Sequence, residues 1–254
     1  MIELRVVYVI SAREFKKFLR EKSRLFSSLA RPLIWLFLVG GGLSRIVPTG
    51  GNITYLQFFF PGIIGMTILF TSIFSAISII WDKEFGYMKE ILVAPVSRTS
   101  VVVGKAVSGS IVSTIQATIV LMLFPLVGLK LSLLSVLLII PLSFAISFSI
   151  ASIGILIATF YESFESFSII MNFIVMPMFF LSGAMYPLRK LPEIFKLIAH
   201  FNPLTYGIDA LKNVIIKEAG EMGADFSLPL DLTIIFLVSL VFIFLGTKAF
   251  NRRV

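Results

Sequence analysis

Cysteine is absent from the 254 residues, which removes disulfide, thiolate-metal and thiol-nucleophile chemistry together. The single histidine, His200, has no second ligand near it in sequence and reads as an interfacial or helix-end residue. Charge is scarce: 14% of residues carry it, against roughly a quarter in ordinary soluble domains. The nucleotide-binding pattern GxxxxGK(S/T) is missing. Its nearest text, Gly104-Lys105-Ala106, lacks the upstream glycine and the hydroxyl that would hold phosphate and magnesium, so the chain is not expected to be an ATPase on its own. HExxH, a Ser-His-Asp set and a span with paired carboxylates are missing too, which leaves a membrane enzyme without a nucleophile, base and metal.

What is abundant is apolar. Hydrophobic residues make up 57% of the chain, with a mean hydropathy of +1.00. Uncharged apolar runs of about eighteen residues or more recur along it, the signature of bilayer spans. Six are read: 32–47, 56–81, 106–129, 131–160, 166–187 and 232–247. Three consecutive glycines, Gly40 to Gly42, weaken or kink the first, and Pro61 distorts the early turns of the second. The expected class is an all-α integral membrane protein forming one transmembrane domain over residues 1–254.

The net charge is +8, and eight Lys or Arg fall between Arg5 and Arg31. That cluster suits an anionic membrane surface, and no nucleic-acid motif accompanies it. "VVYVI" is too short for a signal-peptide core, so the segment is read as mature protein. Residues 4–29 show a 3.6-residue period, with Leu4, Val7, Tyr8, Ser11, Phe15, Phe18, Leu19, Leu25, Phe26 and Leu29 on one side. Arg13, Lys16, Lys17, Arg20 and Arg24 lie on the other, so residues 1–31 are expected to hold an amphipathic interfacial helix. Six spans place both termini on one side. With the termini inside, the inner segments hold fifteen Lys and Arg and the outer ones seven, although five of those seven lie between spans five and six.

The largest inner connection, 82–105, is also the most charged. After Asp82, the apolar Phe85, Met88 and Leu92 recur at helical spacing among Lys83, Glu84, Lys89 and Glu90. Pro95 stops the helix, and Ser97 or Thr99 caps the next span. Gly86 costs a helix about 1 kcal/mol relative to alanine and is expected to permit a bend or a close backbone approach. Spacing alone leaves two readings open, a solvated loop and a docking element. Between spans five and six, Pro192 opens one short helix through Ala199. Asn202 then caps a second, with Pro203 at its first position and Leu204, Ile208, Leu211 and Ile215 on one face. Residues 188–230 are therefore expected to form a re-entrant or interfacial hairpin.

"EFGYMKEILVAPVSR", "FFFPGIIGMTILF" and "FFLSGAMYPLRKLPEIFKLIAHFNPLTYGIDALK" together resemble the type-2 ABC exporter permeases, in particular the daunorubicin-resistance branch, in the same order and over more than half of the chain. The resemblance implies a transmembrane subunit whose coupling helix, Glu84 to Pro95, sits in a groove of a separate cytosolic ATPase that carries ATP and magnesium. Glu84, Gly86, Leu92, Pro95 and Arg98 occupy the motif positions, with Asp82, Lys89 and Glu90 beside them. It makes the N-terminal helix a connecting helix, gives Glu162 and Glu165 in "YESFES" a second inner contact, and makes the hairpin, with Pro192, Asn202, Pro203, Tyr206 and Asp209, an outer lid. "YESFES" also reads as a simple turn. A second permease copy, a cell-membrane location with cytoplasmic termini and no cofactor in this chain are likewise implied, and a route lined by Ser, Thr, Phe and Met without fixed charge favours amphipathic or lipid-like cargo. The alternative is a carrier or channel working without ATP. Against it, spans three to six as bounded above contain no ionisable side chain.

Overall fold

The computed structural model describes residues 2–20, 29–47, 53–216 and 220–253; of Leu92, Glu221 and Arg253 only the backbone is described. These residues are helical, with no strand among them. Helix α1 spans Leu4–Arg20 and α2 spans Leu29–Leu43. The part of the expected 4–29 helix beyond Arg20 lies outside the described residues up to Leu29, so Arg24, Leu25 and Phe26 are not placed. Within α2, Trp35–Gly40 widens to a π-helix that ends on the first residue of the glycine triplet, the local irregularity those glycines lead one to expect.

Helix α3, Tyr55–Ser75, is the centre of the molecule. Thr54 and Gln57 close a reciprocal capping box at its start, the Thr54 hydroxyl accepting from Gln57 N at 3.3 Å and the Gln57 side chain accepting from Thr54 N at 3.0 Å. Apolar on every face, it is buried on every face: Phe58, Phe59, Phe60, Ile63, Ile64 and Ile68 are all fully enclosed. Two glycines let neighbours approach its backbone. A Cβ on Gly62 would lie 2.8 Å from the Ala184 carbonyl oxygen, and one on Gly65 would run into Ile208. The helix breaks at Ala76 and resumes as α4, Ile77–Glu84.

A left-handed Gly86 (φ 78°) turns the chain into the short α5, Tyr87–Val93. Helix α6, Arg98–Leu121, starts at Ser97, whose hydroxyl accepts from Ser100 N. It ends eight residues before the expected limit of 129, because a 3-10 turn at Phe124–Val127 containing Pro125 takes over. Helix α7, Leu133–Ala158, follows. Helix α8, Phe164–Phe180, stops seven residues short of the expected 187, where Pro177 and the left-handed Gly183 (φ 75°) turn the chain. Helices α9, Glu193–Phe201, and α10, Pro203–Ile215, form the expected pair, the first running two residues beyond Ala199. Helix α11, Leu228–Arg253, completes the chain.

Among the described residues four helices are long and apolar enough to cross a membrane, Tyr55–Glu84, Arg98–Leu121, Leu133–Ala158 and Leu228–Arg252; Leu29–Leu43 and Phe164–Phe180 are shorter apolar helices. Many hydroxyls on these helices are satisfied locally or across helices, although those of Ser72, Ser149 and Thr247 are buried without a partner among the described residues. Ser110, Thr114 and Thr118 donate to carbonyls one turn back, while Ser147 donates to Ser113 at 3.0 Å and Ser113 to the Ile68 carbonyl at 3.3 Å, tying α7, α6 and α3 together.

Candidate functional site

Both ends of the described chain meet at one end of the bundle, with the 82–105 connection. Glu3 accepts from Ser97 N at 3.0 Å, and Arg98 Nη1 donates to the Asn251 carbonyl at 2.9 Å. Helix α1 lies against α6 where Gly104 leaves room: Ser11 donates to the Gly104 carbonyl at 3.2 Å, and Ile10 covers the glycine. Only Ser11 and Phe18 of α1 are buried, whereas Leu4, Tyr8, Val9 and Leu19 are more than half exposed. An apolar face left outside the bundle is what an interfacial helix presents to lipid.

Four charges join α1, α4 and α6. Lys105 Nζ bonds Asp82, reaches Glu14 Oε1 at 2.8 Å and donates to the Ser78 hydroxyl at 3.1 Å. Arg13 Nη2 closes the ring, 2.8 Å from Glu14 and 2.9 Å from Asp82. The Lys105 side chain is only 3% exposed, so its ammonium has left water for these partners. Burial alone would push the Glu14 carboxyl up; the Lys105 and Arg13 charges outweigh it and hold the group down at about 2.

Asp82 is thus held inside the bundle, whereas Glu84, Lys89, Glu90 and Pro95 are exposed. The expected apolar stripe of α5 is only partly internal. Met88 is buried, but Phe85 is 69% exposed, and Tyr87 and Val93 also project outward. No atom would lie within 4 Å of a Cβ on Gly86, so that glycine serves the bend and not a close approach. Glu162 and Glu165 are exposed at the start of α8. Lys83 brings their loop beside the 82–105 segment by donating to the Thr159 carbonyl at 3.0 Å and more weakly to Tyr161. Arg98 is turned toward the end of α11.

At the opposite end, α9 is exposed along Ile194, Leu197 and Phe201, while α10 is buried along nearly its whole length. Pro192 precedes α9 and is exposed. Asn202 caps α10 by accepting from Leu204 N and donates to the Met178 carbonyl at 2.7 Å, and Pro203 occupies the first turn. Tyr206 donates to the His200 carbonyl at 2.8 Å. Asp209 accepts from Asp225 N and Phe226 N at 2.7 and 2.8 Å, which pins the segment leading into α11. The buried Lys212 donates to the Gly183 carbonyl at 2.8 Å and stands 4.6 Å from the Phe58 ring centre. His200 ends α9 with Nδ1 against the Lys196 carbonyl, and no cluster able to hold a metal occurs among the described residues.

Sequence reading missed Lys105 and Asp231. Bounding spans three and six at 106 and 232 left both outside, but α6 begins at Arg98 and α11 at Leu228, so the helices contain them and bury both. The expectation of no ionisable group in these helices is corrected accordingly. The signal was local: Ser97 is a cap eight residues before Lys105, so the helix had to start before the lysine.

The profile of the ABC-2 type transporter family matches residues 5–216. The chain belongs to that family. The ycf38 chain of Cyanophora paradoxa, described as a transport permease, is 30% identical over 81% of this chain and 72% of its own length. Nodulation protein J of Rhizobium leguminosarum bv. viciae is 25% identical over 90% of this chain and 87% of its own. The YbhR chain of Escherichia coli K12, described as a multidrug ABC transporter permease, is 29% identical over 66% of this chain and 46% of its own. This ABC-2 chain is accordingly a multi-pass membrane permease subunit of an ABC transporter, and membership implies association with an ATP-binding subunit.

Proposed function

We propose that this permease is driven by a cytosolic ATPase docking on α5 and the residues around it, with Glu84, Lys89, Glu90, Leu92 and Pro95 in the contact and Glu162 and Glu165 beside it. The observation that carries the reading is the outward projection of Phe85, Tyr87 and Val93 among exposed charges on a helix held between two long apolar ones. Exposed aromatic residues beside charges of both signs are interface chemistry, not the composition of a solvated loop. Asp82 and Arg98 serve by anchoring this element to the bundle. Gly86 sets its angle. ATP and magnesium belong to the partner.

In this reading α2 and α8 also cross the membrane, giving six spans with both termini cytoplasmic. The buried α10 is then a re-entrant limb, and α9 lies in the outer interface. Two copies would flank the route, and amphipathic or lipid-like cargo fits the daunorubicin-resistance branch the sequence resembles. Asp209, Lys212 and Asp231 lend an ATP-independent carrier the ionisable groups it lacked on sequence. They stand at the end away from α5, however, where Asp209 and Lys212 bond backbone and Asp231 accepts from Asn213. Co-reconstitution with an ATP-binding subunit that co-purifies with the chain tests the proposal. Glu90→Lys and Val93→Asp alter exposed side chains only, so each is expected to abolish stimulated ATP hydrolysis with the chain still folded. Undiminished stimulation in both would overturn the assignment.

A further inference from the structure

A cavity of about 260 Å³ opens between α1, the start of α2, α3, α4 and α6, within a single copy of the chain. It runs from Trp81 near the charged end to Met66 in α3, a helical path of roughly 20 Å at 1.5 Å per residue. Its lining combines apolar Phe70, Phe74 and Val112 with polar Thr71, Ser108 and Gln116. Two cations stand on its aromatic residues: Lys17 Nζ is 4.3 Å from the Trp81 ring centre, and Arg31 Cζ is 4.2 Å from that of Phe70. Among the described residues both have ring partners and neither has a carboxylate. Glu14, the one carboxylate among the described lining residues, is committed to Lys105 and Arg13.

We propose that this cavity is a binding site for an anionic amphiphile of the membrane, its phosphate-type headgroup held between Lys17 and Arg31 and its chain lying along the Phe70 and Phe74 wall. A cation seated on a ring keeps its N–H edge free, and a guanidinium so placed can take a phosphate or carboxylate bidentately. Gln116 is almost wholly buried on the same lining, with its Oε1 accepting from Thr71, and among the described residues its Nε2 donates to no protein oxygen. The ligand would slide in from the membrane surface, where the interfacial α1 borders the cavity through Lys17 and Phe18. Charge beyond the mouth supports the same sign of ligand, because Arg13 and Arg20 share the face of α1 with Lys17. The inference goes beyond the transport reading: it needs the membrane around the chain but not the ATPase, so it stands or falls separately from docking on α5.

The test uses the full chain in nanodiscs. The protein has two tryptophans, so Trp35→Phe leaves Trp81 as the reporter at the cavity. Phosphatidylglycerol with brominated chains should quench Trp81 at a lower mole fraction than brominated phosphatidylcholine, by about fivefold for each cation engaged. Lys17→Gln with Arg31→Gln should erase the difference, while Lys17→Arg with Arg31→Lys should keep most of it. Lys16→Gln, on the same helix but off the cavity, should leave it intact. Should the glutamine pair fail to fold, raising ionic strength on the parent should shrink the preference. Equal quenching by both lipids overturns the site, as does a preference that survives the glutamine pair, resists salt, or is lost as fully in Lys16→Gln. Displacement of the lipid by millimolar inorganic phosphate would assign the cations to a soluble anion and overturn the amphiphile.

Discussion

Among the described residues two lysines are buried, and they sit at opposite ends of the fold in different company. Lys105 is enclosed by Asp82, Glu14 and Ser78 where α1, α4 and α6 meet. Lys212 is enclosed by the Gly183 carbonyl and the Phe58 ring, where α10 enters the bundle. The first is tied to full opposite charges from segments 91 and 23 residues away, so it joins separate elements. The second is tied to a neutral carbonyl in a tight turn, so it fills a corner already fixed by the Asn202 cap and the Asp209 carboxylate. The end proposed to receive ATPase motion is held by ion pairs that fasten elements as rigid units. The far end is held mainly by hydrogen bonds to backbone that close loops, with an ion pair, Arg189 to Asp225 at 2.9 Å, at its surface.

The sharpest way to break the comparison is Lys105→Met. It leaves two carboxylates buried without their ammonium, an uncompensated charge that costs about 3–5 kcal/mol. Urea or thermal unfolding of the purified permease should show that loss. Adding Asp82→Asn and Glu14→Gln to Lys105→Met should recover much of it, since the stranded charges are then gone. A simple sum of the single effects would mean that the network does not act as a unit.

Acid should separate the two ends next. The folded Glu14 carboxyl, held at about 2, lies below its ordinary 4.5. It therefore contributes stability that is complete above about 4.5 and is lost as pH falls toward 2, on the order of 2–3 kcal/mol. Unfolding measured across that window should converge for the parent and Glu14→Gln as pH falls, with the variant the weaker at neutral pH. A gap that does not change with pH would show that the carboxylate matters by shape alone.

Much of the fold was legible because its signals are local. The Asn202-Pro203 start of α10, the Ser97 cap and the stop before Pro95 are each set by chemistry within a few residues, and each stands where sequence placed it. The ends of α6 and α8 were not legible, because hydropathy runs on unchanged through Phe124 and Leu181 while the backbone turns. Of the candidate site, the exposure of Glu84, Lys89 and Glu90 followed from the pattern, but the Lys105 network did not. Its partners reside on three elements far apart in sequence, and no periodicity reports a pairing of that range. Lys17 and Arg31 were visible only as members of a basic cluster; the rings beneath them belong to another helix.

A glycine pair sharpens the contrast at smaller magnitude. Gly86 and Gly183 both have positive φ, 78° and 75°, but a Cβ on Gly86 meets nothing, whereas one on Gly183 lies 3.0 Å from Leu188. Gly86→Ala should therefore cost only the backbone strain, about 1–2 kcal/mol. Gly183→Ala should cost more, because Leu188 must also move. Chemical denaturation orders the two, and the reverse order would mean that the bend at Gly86 is packed more tightly than its open surroundings allow.

The smallest effect expected is the most discriminating. Lys212→Met removes a buried ammonium that has no carboxylate within ion-pair distance among the described residues; its attraction to Asp209 and Asp225 acts from farther off, and Asp209 keeps its bonds from Asp225 N and Phe226 N when the ammonium is lost. The gain from no longer desolvating a charge offsets the lost bond to Gly183, and the thioether can still lie against Phe58, where sulfur and ring attract. Stability should change by less than about 1 kcal/mol. Placed beside Lys105→Met, the same substitution at the same depth of burial would then differ severalfold in cost between the two ends. Equal losses at both positions would show that burial alone, and not the partner across the helix boundary, decides what a lysine does in this fold.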